Sequence, residues 1–199
     1  RAEHFTEIRR LLQPHFQVKV VFLLRDPVER IYSFSRMLNR DAGVRFGQKY
    51  RPNPAKNFPN FLRSPIVELL TRYEKTISNL EKVFDDTHIY YGFYEELFSE
   101  KATQSICDFL GVPHVPPNFE RKLNASPGRE VIEKSTLNDA VRYYENTYNF
   151  CAEFFGGDLI RNLWPNYLLT STLQESSFQS SPQIRSQVDG TNCSKPAPG

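Results

Sequence analysis

Arg25, Arg30 and Ser33 fall in the order R-D-P-V-E-R-I-Y-S, directly after the apolar run that begins at Val18 and closes at Leu24. Two guanidinium forks and a hydroxyl, set where an apolar strand gives way to a helix, suit recognition of a phosphate: each guanidinium offers paired donors, and the hydroxyl supplies one more. The plainer chemistry open to the same residues is an Arg25 ion pair with a carboxylate such as Glu29, with Ser33 capping or solvated.

The elements that must position these groups follow from local pattern. Residues 18 to 24 form a β-branched and leucine run, as expected of a strand buried on both faces of a parallel sheet. Asp26 is a helix cap, Pro27 fits the first turn, and Glu29 completes a capping-box spacing. Val28, Ile31, Ser35 and Leu38, with Tyr32 beside them, share one helix face, while Arg30 and Ser33 lie on another. A helix over 64–84 is predicted from Ile66, Leu69, Leu70, Tyr73, Ile77, Leu80 and Phe84. Asp85 and Asp86 turn the chain into a strand over THIYYGF, and a further helix ends at Phe109-Leu110-Gly111. A proline-marked loop then leads through LNASPGREVI to a last helix over 137–155, closed by Gly156-Gly157. Strands alternating with helices predict an α/β fold.

R-D-P-x-x-R-x-x-S after a hydrophobic strand resembles the 3′-phosphate-binding element of sulfotransferases that use 3′-phosphoadenosine 5′-phosphosulfate (PAPS), the Golgi and carbohydrate type above all. The order of the long helix, the strand THIYYGF, the segment YEELF and the helix ending F-L-G is similar to that family from about Val18 to Trp164. The resemblance implies a P-loop NTPase-like three-layer sandwich with a mainly parallel sheet. It also implies PAPS as cofactor, with adenosine 3′,5′-bisphosphate as product, and sulfuryl transfer to a hydroxyl or amine of a carbohydrate. By the family's pattern Arg25 and Ser33 hold the 3′-phosphate, with Arg30 beside them and Tyr94 near the adenine. The resemblance also implies a loop that folds back over the cofactor, for which Lys122, Ser126, Gly128 and Arg129 are the candidates. No metal is implied. A eukaryotic parent with an upstream anchor would place the domain in the Golgi lumen, a bacterial one in the cytoplasm.

The family's phosphosulfate loop, a lysine-bearing turn upstream of the arginine motif, has no counterpart ahead of Val18, since the first glycine is Gly43. The converging amides of such a cradle need a bend that glycine permits. The chain is therefore expected to be the carboxyl-terminal part of the domain, with the loop and the catalytic base lying upstream. Glu3, His4 and Glu7 read as surface residues of a short helix. Residues 1–169 are assigned to this partial domain, and 170–199, rich in Ser, Gln and Pro, to a disordered tail.

Composition narrows the partners. Net charge is +2, but residues 1–63 carry 13 Lys and Arg against 5 Asp and Glu, and the remainder 12 against 18. Basic residues continue from Arg36 to Arg63, and among them the stretch 40–61, with Arg40, Arg45, Lys49, Arg51 and Lys56, reads as a long loop that would focus an anionic glycan, or as an ordinary solvated one. No recognised nucleic-acid module interleaves these charges. Three scattered cysteines make neither a disulfide framework nor a zinc site, and Cys107 reads as core. No run is apolar enough to span a bilayer. Two alternatives share the phosphate chemistry: a P-loop kinase-like phosphotransferase, and a protein that binds the nucleotide without catalysis.

Overall fold

A computed structural model describes residues 2–46, 58–59, 61–120 and 131–170. Helix α1 (Ala2–Leu12) leads into strand β1 (Val20–Leu24), followed by α2 (Pro27–Phe46), α3 (Pro65–Thr71) and α4 (Tyr73–Glu81). Strand β2 (Ile89–Phe93) precedes α5 (Glu100–Leu110), α6 (Lys134–Tyr143), α7 (Glu145–Phe155) and α8 (Gly157–Leu163). Among the described residues the sheet has two strands, β1 and β2, paired in parallel from Val20 opposite Ile89 to Leu24 opposite Phe93. Parallel neighbours demand a crossover, and α2 to α4 supply it. The fold is mixed α/β with a small parallel sheet, as the alternation of strand and helix patterns predicts.

Strand periodicity sends Phe22 and Leu24 to one face and Val21 and Leu23 to the other. On the first face Phe22 meets Tyr73 and Tyr91 edge-on at 6.0 and 6.3 Å, and Phe93 meets Phe155 and Trp164 at 5.2 and 5.9 Å. Leu24, Val28, Ile31, Tyr32, Ile77, Val141, Tyr148 and Trp164 close this core. On the second face α5 covers β2, with Phe109 5.5 Å from Tyr90, while Val21 stays 36% exposed. The expected burial of β1 on both faces is thus corrected: its run of apolar residues meets a covering layer on one side. Helix α1 rests Ala2 and Phe5 against the cluster of Leu80, Val83, Phe84 and Ile89, and its Arg9 donates to the Val83 carbonyl.

Three helix expectations change. The helix over 64–84 is two, broken at Arg72 (φ −77°, ψ 77°). Ser64 Oγ caps the first by accepting from Val67 N at 3.4 Å. The break shifts the buried stripe by a residue: Val67 and Thr71 are buried in α3, Tyr73, Ile77 and Leu80 in α4, and the predicted Ile66 and Leu69 are exposed. The helix over 137–155 likewise starts at Lys134 and breaks at Tyr144, whose buried hydroxyl donates to the Leu62 carbonyl at 2.9 Å. Arg72 stacks over both Tyr143 and Tyr144, at 4.8 and 5.2 Å, so the two breaks support each other. The basic stretch counted as loop is helical up to Phe46, in α2.

Termini follow chemistry. Ser99 Oγ accepts from Ala102 N at 3.2 Å to start α5, and Gly111 ends it in the left-handed region at φ 75°. Gly156, at φ 104°, closes α7 as expected, but that helix is not the last: Gly157 opens α8. Cys107 is half-buried, while Cys151 is the buried thiol, its pKa pushed up by desolvation. The tail from Ser171 onward and the loop 121–130, with Lys122, Ser126, Gly128 and Arg129, lie outside the described residues. Thr170, placed at the head of the tail, is buried and gives its hydroxyl to the Tyr167 carbonyl at 2.7 Å.

Candidate nucleotide site at the end of the first strand

The turn from β1 into α2 is built around one carboxylate. Asp26 is fully buried, and its Oδ1 accepts from Val28 N at 3.0 Å and Glu29 N at 3.2 Å, which makes it the cap that the sequence predicts. The same oxygen accepts from Tyr148 OH at 2.8 Å and Asn166 Nδ2 at 3.1 Å, and Oδ2 accepts from Asn166 N at 3.2 Å. Burial pushes the Asp26 carboxyl above its ordinary range, and these hydrogen bonds pull it part of the way back. The capping box does not close as predicted. Asp26 N donates instead to Glu95 Oε1 at 3.0 Å, so a carboxylate from the segment after β2 takes the bond assigned to Glu29. Desolvation raises the Glu95 pKa, and the Asp26 amide works against it.

With the turn held so, Arg25 extends over the carboxyl end of the sheet. Its guanidinium carbon lies 4.2 Å above the Tyr94 ring, a cation–π stack, and its Nη2 lies 3.9 Å from Glu29 Oε2. The ion pair with Glu29 exists but is long, which leaves donors of the fork for another acceptor. Tyr94 is fixed by its own amide, which donates to the Leu24 carbonyl at 2.8 Å. Tyr73 OH donates to the Arg25 carbonyl at 2.8 Å, and Arg30 reaches towards the same ring, 5.9 Å from its centre. Burial pushes the Tyr73 phenol well up, which keeps it a donor.

A cavity of about 330 Å³ opens here, within the range of small-ligand sites. Arg25, Arg30, Ser33 and Tyr94 all line it, together with Leu23, Phe34, Met37, Val67, Leu70 and Thr71. Spacing explains the gathering. Residues 30, 33, 34 and 37 form one face of α2, Ile31 reaches the cavity from the edge of the buried stripe of Val28, Ile31, Tyr32 and Ser35, and 67, 70 and 71 face them from α3. The walls are apolar and the polar groups few, the usual build of an orienting pocket. Cations supply the charge: the polar groups suit an anion, and the aromatic and aliphatic walls suit a flat apolar body.

Sequence reasoning brought Arg25, Arg30, Ser33 and Tyr94 to this place but missed Thr71, because the stripe chosen for α3 ran through Ile66 and Leu69. It also missed Glu95 as the partner of Asp26; the YEEL segment was the available signal. Glu3 and His4 are exposed on α1, and Glu7 pairs with Arg10 at 2.7 Å. No group of three metal-ligating side chains gathers among the described residues, and none of their helices is long and apolar enough to cross a membrane.

No curated protein and no solved structure is detectably similar to the chain. The sulfotransferase domain model matches residues 7–139, more than half the chain, and every residue that lines the cavity falls within it. The match begins ahead of the resemblance carried by the motifs and stops short of Trp164. The arginine turn, the crossover and both strands fall within it, and the chain belongs to the sulfotransferase domain family.

Proposed function

We propose that this chain carries the 3′-phosphate-binding part of a PAPS-dependent sulfotransferase whose acceptor is a carbohydrate hydroxyl or amine. The observation that carries the reading is that Arg25, Arg30, Ser33 and Tyr94, from two segments some sixty residues apart in the sequence, line one cavity at the carboxyl end of β1. The Arg25 fork and the Ser33 hydroxyl present donors to a phosphate, Tyr94 braces the guanidinium from behind, and the apolar walls accept the nucleoside. PAPS, when bound, supplies the sulfuryl group that leaves adenosine 3′,5′-bisphosphate behind. The residues here anchor and orient it: in-line attack on sulfur needs the donor fixed along one axis, and a clamp at the far phosphate fixes it. The base that takes the acceptor's proton and the cations that meet charge at the 5′-phosphate belong, on this reading, to a segment preceding Arg1. The carbohydrate preference rests on the family type and on the basic residues between Arg36 and Arg63.

Arg25→Ala tests the reading. A guanidinium aimed at the 3′-phosphate does nothing for a ligand that lacks one, and a charge-assisted hydrogen bond contributes about 1.5–3 kcal/mol. The variant is expected to lose roughly tenfold or more in affinity for adenosine 3′,5′-bisphosphate and little for adenosine 5′-phosphate, measured by calorimetry. Equal losses for the two nucleotides in a folded variant would remove Arg25 from the 3′-phosphate.

A further inference from the structure

Thr71 stands in the last turn of α3 and is 1% exposed. A threonine in a helix ordinarily spends its hydroxyl on the carbonyl four residues back, as Thr103 does on the Ser99 carbonyl at 3.2 Å. The Thr71 hydroxyl makes no such bond and has no partner among the described residues. Arg30 Nε is in the same state, buried and unpaired. Buried polar atoms are nearly always satisfied, so two orphans in one place need a reason.

They share a place. Thr71 and Arg30 line the same cavity from opposite helices, α3 and α2. A guanidinium N–H has no acceptor capacity and a hydroxyl can donate. The complement of the pair is therefore an oxygen that accepts twice, and with a cation supplying one of the donors it is an anionic oxygen. Neither orphan belongs to the Arg25 and Ser33 pair, and Arg30 lies a full turn nearer the start of α2 than Ser33.

We propose that Thr71 is a ligand-binding residue, its hydroxyl and the Arg30 Nε–H together holding one phosphoryl oxygen of the bound nucleotide, in a subsite beside Arg25 and Ser33. This rests on the nucleotide reading above. Thr71→Val keeps the shape and removes the hydroxyl, and Thr71→Ser keeps the hydroxyl. Replacing an unpaired buried hydroxyl by a methyl leaves a protein as stable or more so, whereas losing a hydrogen bond to a charged oxygen costs about tenfold in binding.

The experiment measures thermal melting and calorimetric affinity of Thr71→Val, Thr71→Ser and Arg25→Ala, with adenosine 3′,5′-bisphosphate, adenosine 5′-phosphate and inorganic sulfate as probes. Thr71→Val is expected to melt no lower than the parent chain yet bind the bisphosphate about tenfold more weakly, with Thr71→Ser close to the parent. Parent-like affinity in Thr71→Val, or a melting point well below the parent, would overturn the assignment. If Arg25→Ala loses its preference for the bisphosphate while Thr71→Val binds normally, this inference alone fails. If Thr71→Val weakens the probes while Arg25→Ala changes nothing, the 3′-phosphate reading fails and the subsite stands.

Discussion

Asp26 shows how far one side chain can organise a site it does not enter. It is bonded to the first turn of α2, to α7 through Tyr148 and to the chain after α8 through Asn166, so the turn from β1 into α2 is tied to residues beyond the family match. Tyr148→Phe removes one donor from a buried carboxylate, and a loss of about 1–3 kcal/mol in urea unfolding is expected, with the fold retained. The pH dependence has a definite sign. Burial holds the native Asp26 pKa above its ordinary value, so the native state binds the proton more tightly than the unfolded chain. Stability from this group falls as pH rises from about 4, the ordinary carboxylate value, through the native pKa. Asp26→Asn cannot titrate. The parent chain should lose stability relative to Asp26→Asn over that range, and a parent that gains on the variant as pH rises would show a depressed pKa instead.

Local rules carried the elements that depend on neighbours in sequence. The separate strands β1 and β2, the Asp26 cap, the Ser33 face of α2 and the glycine end of α5 are set by residues close in sequence, and all were legible. Gly111 gives that last feature a number. A side chain at φ 75° pays a steric penalty of about 1–2 kcal/mol. A Cβ there touches nothing within 4 Å, so Gly111→Ala is expected to destabilise by about that amount. Gly157→Ala, with free space around it and no such φ, should cost less. Chemical denaturation of the two variants separates conformational strain from packing. The breaks at Arg72 and Tyr144 were not legible, because contacts far apart in sequence hold them: Arg72 stacks on Tyr143 and Tyr144, and Tyr144 OH donates to the Leu62 carbonyl. Thr71 escaped for the same reason, since a cavity wall from a second helix has no local signature, and the bond from Asp26 N to Glu95, in the segment after β2, spans sixty-nine positions.

At the scale of the molecule, the cationic first third and the acidic remainder meet at the cavity, where Arg25 and Arg30 of the former face α3 and Tyr94 of the latter. The carboxyl edge of a parallel sheet is where open α/β folds bind ligands, and the family match covers the elements that form this edge. Binding and turnover are expected to separate. On the proposed reading Arg25 and Ser33 clamp a far phosphate, and a missing donor at charge that develops in the transition state costs about 100- to 1000-fold. These 199 residues alone should therefore transfer no sulfate from PAPS to a glycan panel in a labelled-sulfate assay, while a chain extended upstream by a lysine-bearing phosphate loop should. Robust turnover by the short chain would mean that a residue within it, Glu3 or His4 on α1 among them, serves as base.

Nucleotide preference of the unmodified chain is the most direct measurement of all. Calorimetric titration with adenosine 3′,5′-bisphosphate, adenosine 3′-phosphate and adenosine 5′-phosphate compares ligands that differ only in the number and position of their phosphates. The two carrying a 3′-phosphate are expected to bind about tenfold or more tightly than the one without, as a charge-assisted contact to Arg25 and Ser33 requires, and that margin should shrink in high salt. Equal affinity for all three, or a preference for adenosine 5′-phosphate, would contradict the assignment of this cavity to the 3′-phosphate.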